Sequence, residues 1–406
     1  MGKGLRFRPP AIVLSPEQRW VLLRAFGPAE RELTVRFEGG AAVERARALS
    51  LSARIGARVP RERLVKEVGA NSVAGFTRDF HLAAASAVQL GQLARDVSGF
   101  AETLRLPVIL LKHAAIERAG AGTIGAREVC DLDVLVPEGR AGELRDELLH
   151  RGFLEADFHP EDQHLPPLHH PSGATIEIHL AIPGVCVGRG RAWADADALL
   201  QGGLCSPARD MPAGCFVPVR DVLLGHLLVH AIEQHGLAPQ SYPLLRAIGD
   251  LIDLEFTVGS LPAFMAGPYE WVRQDVSEAE VRAVAELCDR LSAGDETLWA
   301  EGGPKDDAGR VLAHVIAGTF DHGYQESLRV QAMWHGLRHG SAGASARGFG
   351  RTLFLTRQQI EIIYGKPRSE LGYLGRRLAR PFDLAWRLGK YGVSAIRMRL
   401  RRLSLH

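Results

Sequence analysis

Two short stretches of strict alternation stand out from a chain whose apolar positions otherwise recur at helical spacing. From Arg127 to Val136, Cys130, Leu132, Val134 and Val136 fall on one face of a predicted β-strand, and Asp131 and Asp133 on the other. Thr175 to Leu180 repeats the pattern, with Ile176, Ile178 and Leu180 opposite Glu177 and His179. A third apolar run, Leu106 to Leu111, reads as a buried strand, and the alanine-rich residues after Lys112 open a helix.

Around these strands the spacing is helical. Ser15-Pro16-Glu17-Gln18 is a helix start signal, with Ser15 as cap and Pro16 at the first helical position. Leu51 to Gly69 predicts a helix pair broken at Pro60. Phe76 to Leu104 predicts a long helix, with Leu82, Val88, Leu90, Leu93, Val97 and Phe100 as its apolar positions. Asp79, Gln89, Gln92 and Arg95 are expected on its wet side. Ala141 to Gly152 is an amphipathic helix closed by glycine. The Gly- and Pro-rich residues 183–218 read as a connecting loop. A helix then carries His226 and His230 on one face, and Arg246 and Asp250 are spaced to pair on the next. These elements predict an α/β (α+β) fold, a small mixed β-sheet with helical N- and C-terminal regions. The expected divisions are 1–105 helical, 106–182 the sheet core, 183–340 helical, and 341–406 a basic C-terminal segment.

Composition excludes more than it selects. At 406 residues, 46% hydrophobic and 24% charged, the chain suits an ordinary globular protein with a large core. A net charge of +2 gives no global field toward nucleic acid, and there is no clear nucleic-acid motif. Five scattered cysteines without a CxxC read as buried apolar residues in a reducing compartment. With no signal-peptide h-region and no membrane-length apolar run, the expected location is cytoplasmic.

The chemistry is read from the acidic strand face. Side chains at i and i+2 of a strand lie roughly 6.5–7 Å apart on one face. Asp131 and Asp133 so placed would repel each other and raise each other's proton affinity, a conflict that a divalent metal would resolve. A strand end surfacing into solvent would resolve it equally well. If the strand of Glu177 pairs beside that of Asp133, three carboxylates face one point. That is the usual protein half of a two-metal phosphoryl-transfer site, with ions about 3.5–4 Å apart. Lys112 ends a strand where helix amides favour anions, though a lysine there can also simply reach for water. The histidines His159, His164, His169 and His170 match no standard zinc spacing.

Asp-hydrophobic-Asp followed by hydrophobic-acidic-hydrophobic resembles the carboxylate signature of the nucleotidyltransferase superfamily that includes DNA polymerase beta. The flanks, from about residue 75 to 255, resemble the branch called uncharacterised nucleotidyltransferases. The resemblance implies a nucleotidyltransferase-like core at 106–182 that moves a nucleoside monophosphate from an NTP to an acceptor hydroxyl. It implies Asp131, Asp133 and Glu177 as catalytic residues and ligands of two Mg²⁺ ions, and Lys112, His113 and Arg127 as nucleotide-binding residues. His179 is a candidate substrate contact. Lys112 is expected to face the carboxylates across a space that admits a triphosphate. His113 stands where the family has glycine, which favours the alternative of a non-catalytic nucleotide-binding or scaffold protein on the same fold. Arg127 matches a family arginine, but as an edge residue it need do nothing.

The last stretch differs in charge. Residues 366–406 hold eleven basic residues against Glu370 and Asp383, a net of +9, interleaved with Leu374, Leu378, Phe382 and Trp386. This is a candidate basic amphipathic helix for an anionic membrane or polyanion, which would make the protein peripheral at the membrane. Packing of its apolar side on the domain is the other reading.

Overall fold

The computed structural model describes residues 13–321 except 32, 34–36, 157–163, 172, 188–192, 235–243 and 300–305; it also describes residues 9, 324, 325, 328, 369–379 and 382. The chain forms two compact units, Met1–Thr319 and Phe320–His406.

The first unit opens with five helices: α1 (Pro16–Phe26), α2 (Gly39–Ala48), α3 (Ser52–Arg58), α4 (Arg61–Val68) and α5 (Ala70–Thr103). Ser15 caps α1 as its sequence requires, in a reciprocal capping box with Gln18. Pro60 separates α3 from α4. The long helix α5 buries Leu90, Leu93 and Val97 and exposes Gln89, Gln92 and Arg95 as expected, and departs from the expected setting at three positions. Leu82 and Val88 point outward, while Asp79 is buried, where Arg47 and Ser52 donate to its carboxylate. Those bonds satisfy an acid that periodicity alone puts in water.

A seven-stranded mixed sheet follows. Its strands are β1 (Val108–Leu110), β2 (Asp131–Leu135), β3 (Leu154–Glu155), β4 (Leu168–His169), β5 (Thr175–His179), β6 (Cys205–Pro207) and β7 (Cys215–Pro218), in the order β3-β4-β5-β2-β1-β7-β6. Two of these strands, with α8 (Ala196–Gln201), occupy the stretch expected to be loop, so the sheet continues past residue 182. Their prolines fit such positions: Pro207 and Pro218 lie at strand ends, where a missing N–H costs little.

Helices α6 (Lys112–Arg118) and α7 (Ala141–His150) connect the first strands, and α9 (Arg220–Val229) follows the last. Further helices among the described residues include α10 (Leu244–Asp253), α11 (Leu261–Ala266), α12 (Glu278–Ala293) and α13 (Asp307–Phe320). Gly125 fixes the approach to β2. Its φ is +81°, and a Cβ there would lie 2.9 Å from Ala84 Cα on α5, so only glycine fits. Among the described residues, no helix is long and apolar enough to cross a membrane.

Candidate active site

The site follows from strand register. β2 and β5 are parallel, with Asp133 directly opposite Glu177. β1 lies antiparallel on the other side of β2, and the Leu111 amide donates to the Asp133 carbonyl at 3.0 Å. Lys112 is the next residue, so β1, β2 and β5 deliver Lys112, Asp133 and Glu177 side by side. His179 joins them because it lies two residues past Glu177, on the same strand face.

Side-chain contacts close the cluster. Lys112 Nζ lies 2.6 Å from Asp133 Oδ1 and 3.9 Å from Glu177 Oε2. His179 Nε2 is 2.8 Å from the same Asp133 oxygen and 3.6 Å from Glu177 Oε2. The direct Lys112–Asp133 pair replaces the open space expected between them. Lys112 reaches it from a left-handed backbone, φ +47°, which a non-glycine residue rarely adopts.

Charge is balanced within the cluster. Burial would raise the Asp133 carboxyl, but Lys112 and His179 hold it well below the usual carboxylate range. Burial would lower the Lys112 ammonium, but Asp133, Glu177 and Asp131 keep it above its usual range. His179 is likewise raised, since its bonds to Asp133 and Glu177 outweigh burial. Asp131 rises, through burial and then the charge of Asp133. The expected mutual elevation of the two aspartates therefore holds for Asp131 and reverses for Asp133, because Lys112 and His179 contact Asp133 directly.

The donor set fits a divalent cation. One oxygen each of Asp133 and Glu177 and one ring nitrogen of His179 lie within 4.8 Å of one another. Asp131 lies two residues before Asp133 on β2 and is not among these three donors. Carboxylates suit Mg²⁺ or Mn²⁺, and imidazole widens the choice toward transition metals.

The other expected residues have partners of their own. Arg127 is buried and ion-paired with Asp250 of α10. Asp250, which intrahelical spacing pairs with Arg246, thus also holds a residue from before β2. His113 points along α6, with Nε2 3.3 Å from Glu117, and helps line a small cavity with Ala87, Leu90 and Asp131. Cys130 is exposed rather than buried.

Two further histidines flank the cluster. His164 is buried with its ring 5.4 Å from that of His179, to which it is bridged in the sheet. Its neighbours in the chain offered no periodicity to read, and the nearby residues 157–163, with His159, lie outside the described ones. His226 is buried, and its ring is kept neutral, pushed down to about 3, by burial and then by the charges of Lys112 and His179. His226 and His230 have ring centroids 6.1 Å apart.

Residues 37–238 match the model of a family described as uncharacterised nucleotidyltransferase. No curated relative matches the chain. Among solved structures, the chain is similar to the antibiotic-resistance factor ANT(2″)-Ia, determined in solution. The two are 18% identical, over 46% of this chain and 97% of that one, with a TM-score of 0.29.

Proposed function

Residues 37–238 belong to the uncharacterised nucleotidyltransferase family, and on that premise we propose that this chain transfers a nucleoside monophosphate from an NTP to an acceptor hydroxyl. The observation that carries the reading is the register of Asp133 against Glu177, with Lys112 beside them. Asp131, Asp133 and Glu177 are the residues that would hold two Mg²⁺ ions, with His179 as a nitrogen donor within reach. Bound there, the ions would neutralise triphosphate oxygens and lower the proton affinity of the acceptor hydroxyl.

The chain's own groups divide the remaining work. Glu177 is the most exposed of the four clustered side chains, at 25% against 4% for Asp133, so it is the carboxylate an acceptor can reach. It takes the acceptor's proton. Lys112 turns from Asp133 toward the donor phosphates as they enter. His179 holds Asp133 in orientation through Nε2. Arg127 acts on nucleotide indirectly, by tying the segment before β2 to α10 through Asp250.

A second reading rests on a specific feature. Lys112 already neutralises Asp133, and His113 stands where the resemblance implies a glycine; a scaffold that binds nucleotide without transferring it needs no more. Incubation with α-labelled NTPs and Mg²⁺, in the presence of a cell extract as acceptor source, separates the two. Transfer by the wild type, lost in Glu177→Gln, supports catalysis; nucleotide binding without transfer supports the scaffold.

A further inference from the structure

A small cavity lies between α5, α6 and β2, where His113, Glu117, Arg118 and Asp131 meet the apolar wall of Ala87 and Leu90. His113 and Glu117 are one turn apart on α6, and Nε2 of the first faces Oε1 of the second at 3.3 Å. The geometry closes no hydrogen bond there: both ring nitrogens of His113 and Oε1 of Glu117 are buried without one. Buried polar atoms are nearly always partnered, so three around one cavity point to a small polar occupant. The cavity has a volume of about 10 Å³, close to the roughly 10–15 Å³ that a single water needs. Asp131 is also the less firmly held of the two strand aspartates. Lys112 and His179 both grip Asp133, whereas the Cys130 thiol, a weak donor, reaches Asp131 Oδ1 at 3.7 Å.

We propose that one ordered water occupies this cavity and links His113 and Glu117 to Asp131, which makes His113 a positioning residue for that carboxylate. Donors and acceptors balance. A neutral imidazole donates through one nitrogen; the water accepts that bond and donates its two protons to Glu117 Oε1 and to Asp131. Charge favours water over a metal ion in this place. Arg118 lines the same cavity and Lys112 acts on Asp131, so the two carboxylates already have two cations. A carboxylate fixed through one oxygen presents the other in a set orientation, and partners of this kind tune metal affinity without touching the metal. The role rests on the reading of Asp131 as a metal ligand. It also gives a use to a histidine where the resemblance implies glycine, since glycine has no side chain to donate.

Titration of the full chain with Mn²⁺, read from the paramagnetic resonance of the free ion, tests it. His113→Phe keeps a ring but offers no hydrogen bond, and should lower Mn²⁺ affinity by about 10-fold or more. His113→Gln keeps a donor and should stay within about 3-fold of the wild type. Should His113→Phe fail to fold, Glu117→Leu against Glu117→Gln repeats the test from the other side of the water, with the same split expected. Equal affinity in the wild type and His113→Phe overturns the positioning role and leaves the metal site standing. Equal loss in His113→Phe and His113→Gln overturns it as well, because shape and not the hydrogen bond would then matter. A wild type that takes up no Mn²⁺ overturns the metal site itself, and the role of His113 with it.

Discussion

Lys112 Nζ and His179 Nε2 converge on a single oxygen of Asp133, at 2.6 Å and 2.8 Å. The shared atom makes Asp133 the centre of the site, and it reverses an expectation drawn from the carboxylates alone. Considered only with Asp131, Asp133→Asn should relieve repulsion and leave the fold no less stable. With Lys112 dependent on it, Asp133→Asn leaves a buried ammonium without its partner and should cost about 3–5 kcal/mol. Chemical denaturation of Asp133→Asn, Lys112→Met and the double variant measures this. The double variant should recover part of the loss, because neither member of the pair is left charged without the other.

Lys112→Met should also expose the metal-binding capacity of the site. Removing the internal cation leaves Asp131, Asp133 and Glu177 to repel one another, so Mg²⁺ or Mn²⁺ should raise the melting temperature of this variant more than that of the wild type. Equal shifts would take these carboxylates out of metal binding.

Arg127 and Asp250 predict a separation of stability from binding. Arg127→Gln breaks a buried ion pair and should cost about 3 kcal/mol or more. Nucleotide affinity of the folded variant should fall less than about 3-fold, well under 1 kcal/mol. A large loss of affinity at unchanged stability would return Arg127 to direct phosphate contact.

His226 sets a pH dependence. Its folded-state value, about 3, lies below the roughly 6.5 of an unfolded histidine. The unfolded chain therefore binds the proton first as pH falls. The stability contribution is complete above about pH 6.5 and declines toward pH 3, by at most about 1.4 kcal/mol per unit. His226→Leu should flatten that part of the stability curve; an unchanged slope would place the acid sensitivity elsewhere.

Much of this architecture was legible because alternation is a local signal. Asp131, Asp133, Glu177 and His179 were assigned to strand faces correctly, since a period of two needs no tertiary information. That the two strands pair and that Lys112 faces the carboxylates were expected, but the direct Lys112–Asp133 contact was not, because register is non-local: nothing in the chain order says that Lys112 follows the residue bonded to the Asp133 carbonyl. Asp79 was misjudged, and the partner of Arg127 missed, for a related reason. A buried acid is recognisable only through its cation, and Arg47 lies 32 residues from Asp79 while Asp250 lies 123 from Arg127. The strands β6 and β7 were hidden by their own prolines and by the glycines beside them, which mark loops and strand ends alike.

The central claim is that Asp133, Glu177 and Lys112 form a metal-dependent nucleotide site. Calorimetric titration of non-hydrolysable NTPs into the full chain, with Mg²⁺ and with chelator, tests it most directly when Glu177→Gln is run beside the wild type. Glu177 is partly exposed, so its loss should leave the fold intact. The account predicts that wild-type binding requires Mg²⁺ and that Glu177→Gln loses at least about 10-fold of that affinity, or 1.4 kcal/mol. Binding that is indifferent to Mg²⁺, or equal in the two proteins, would contradict it.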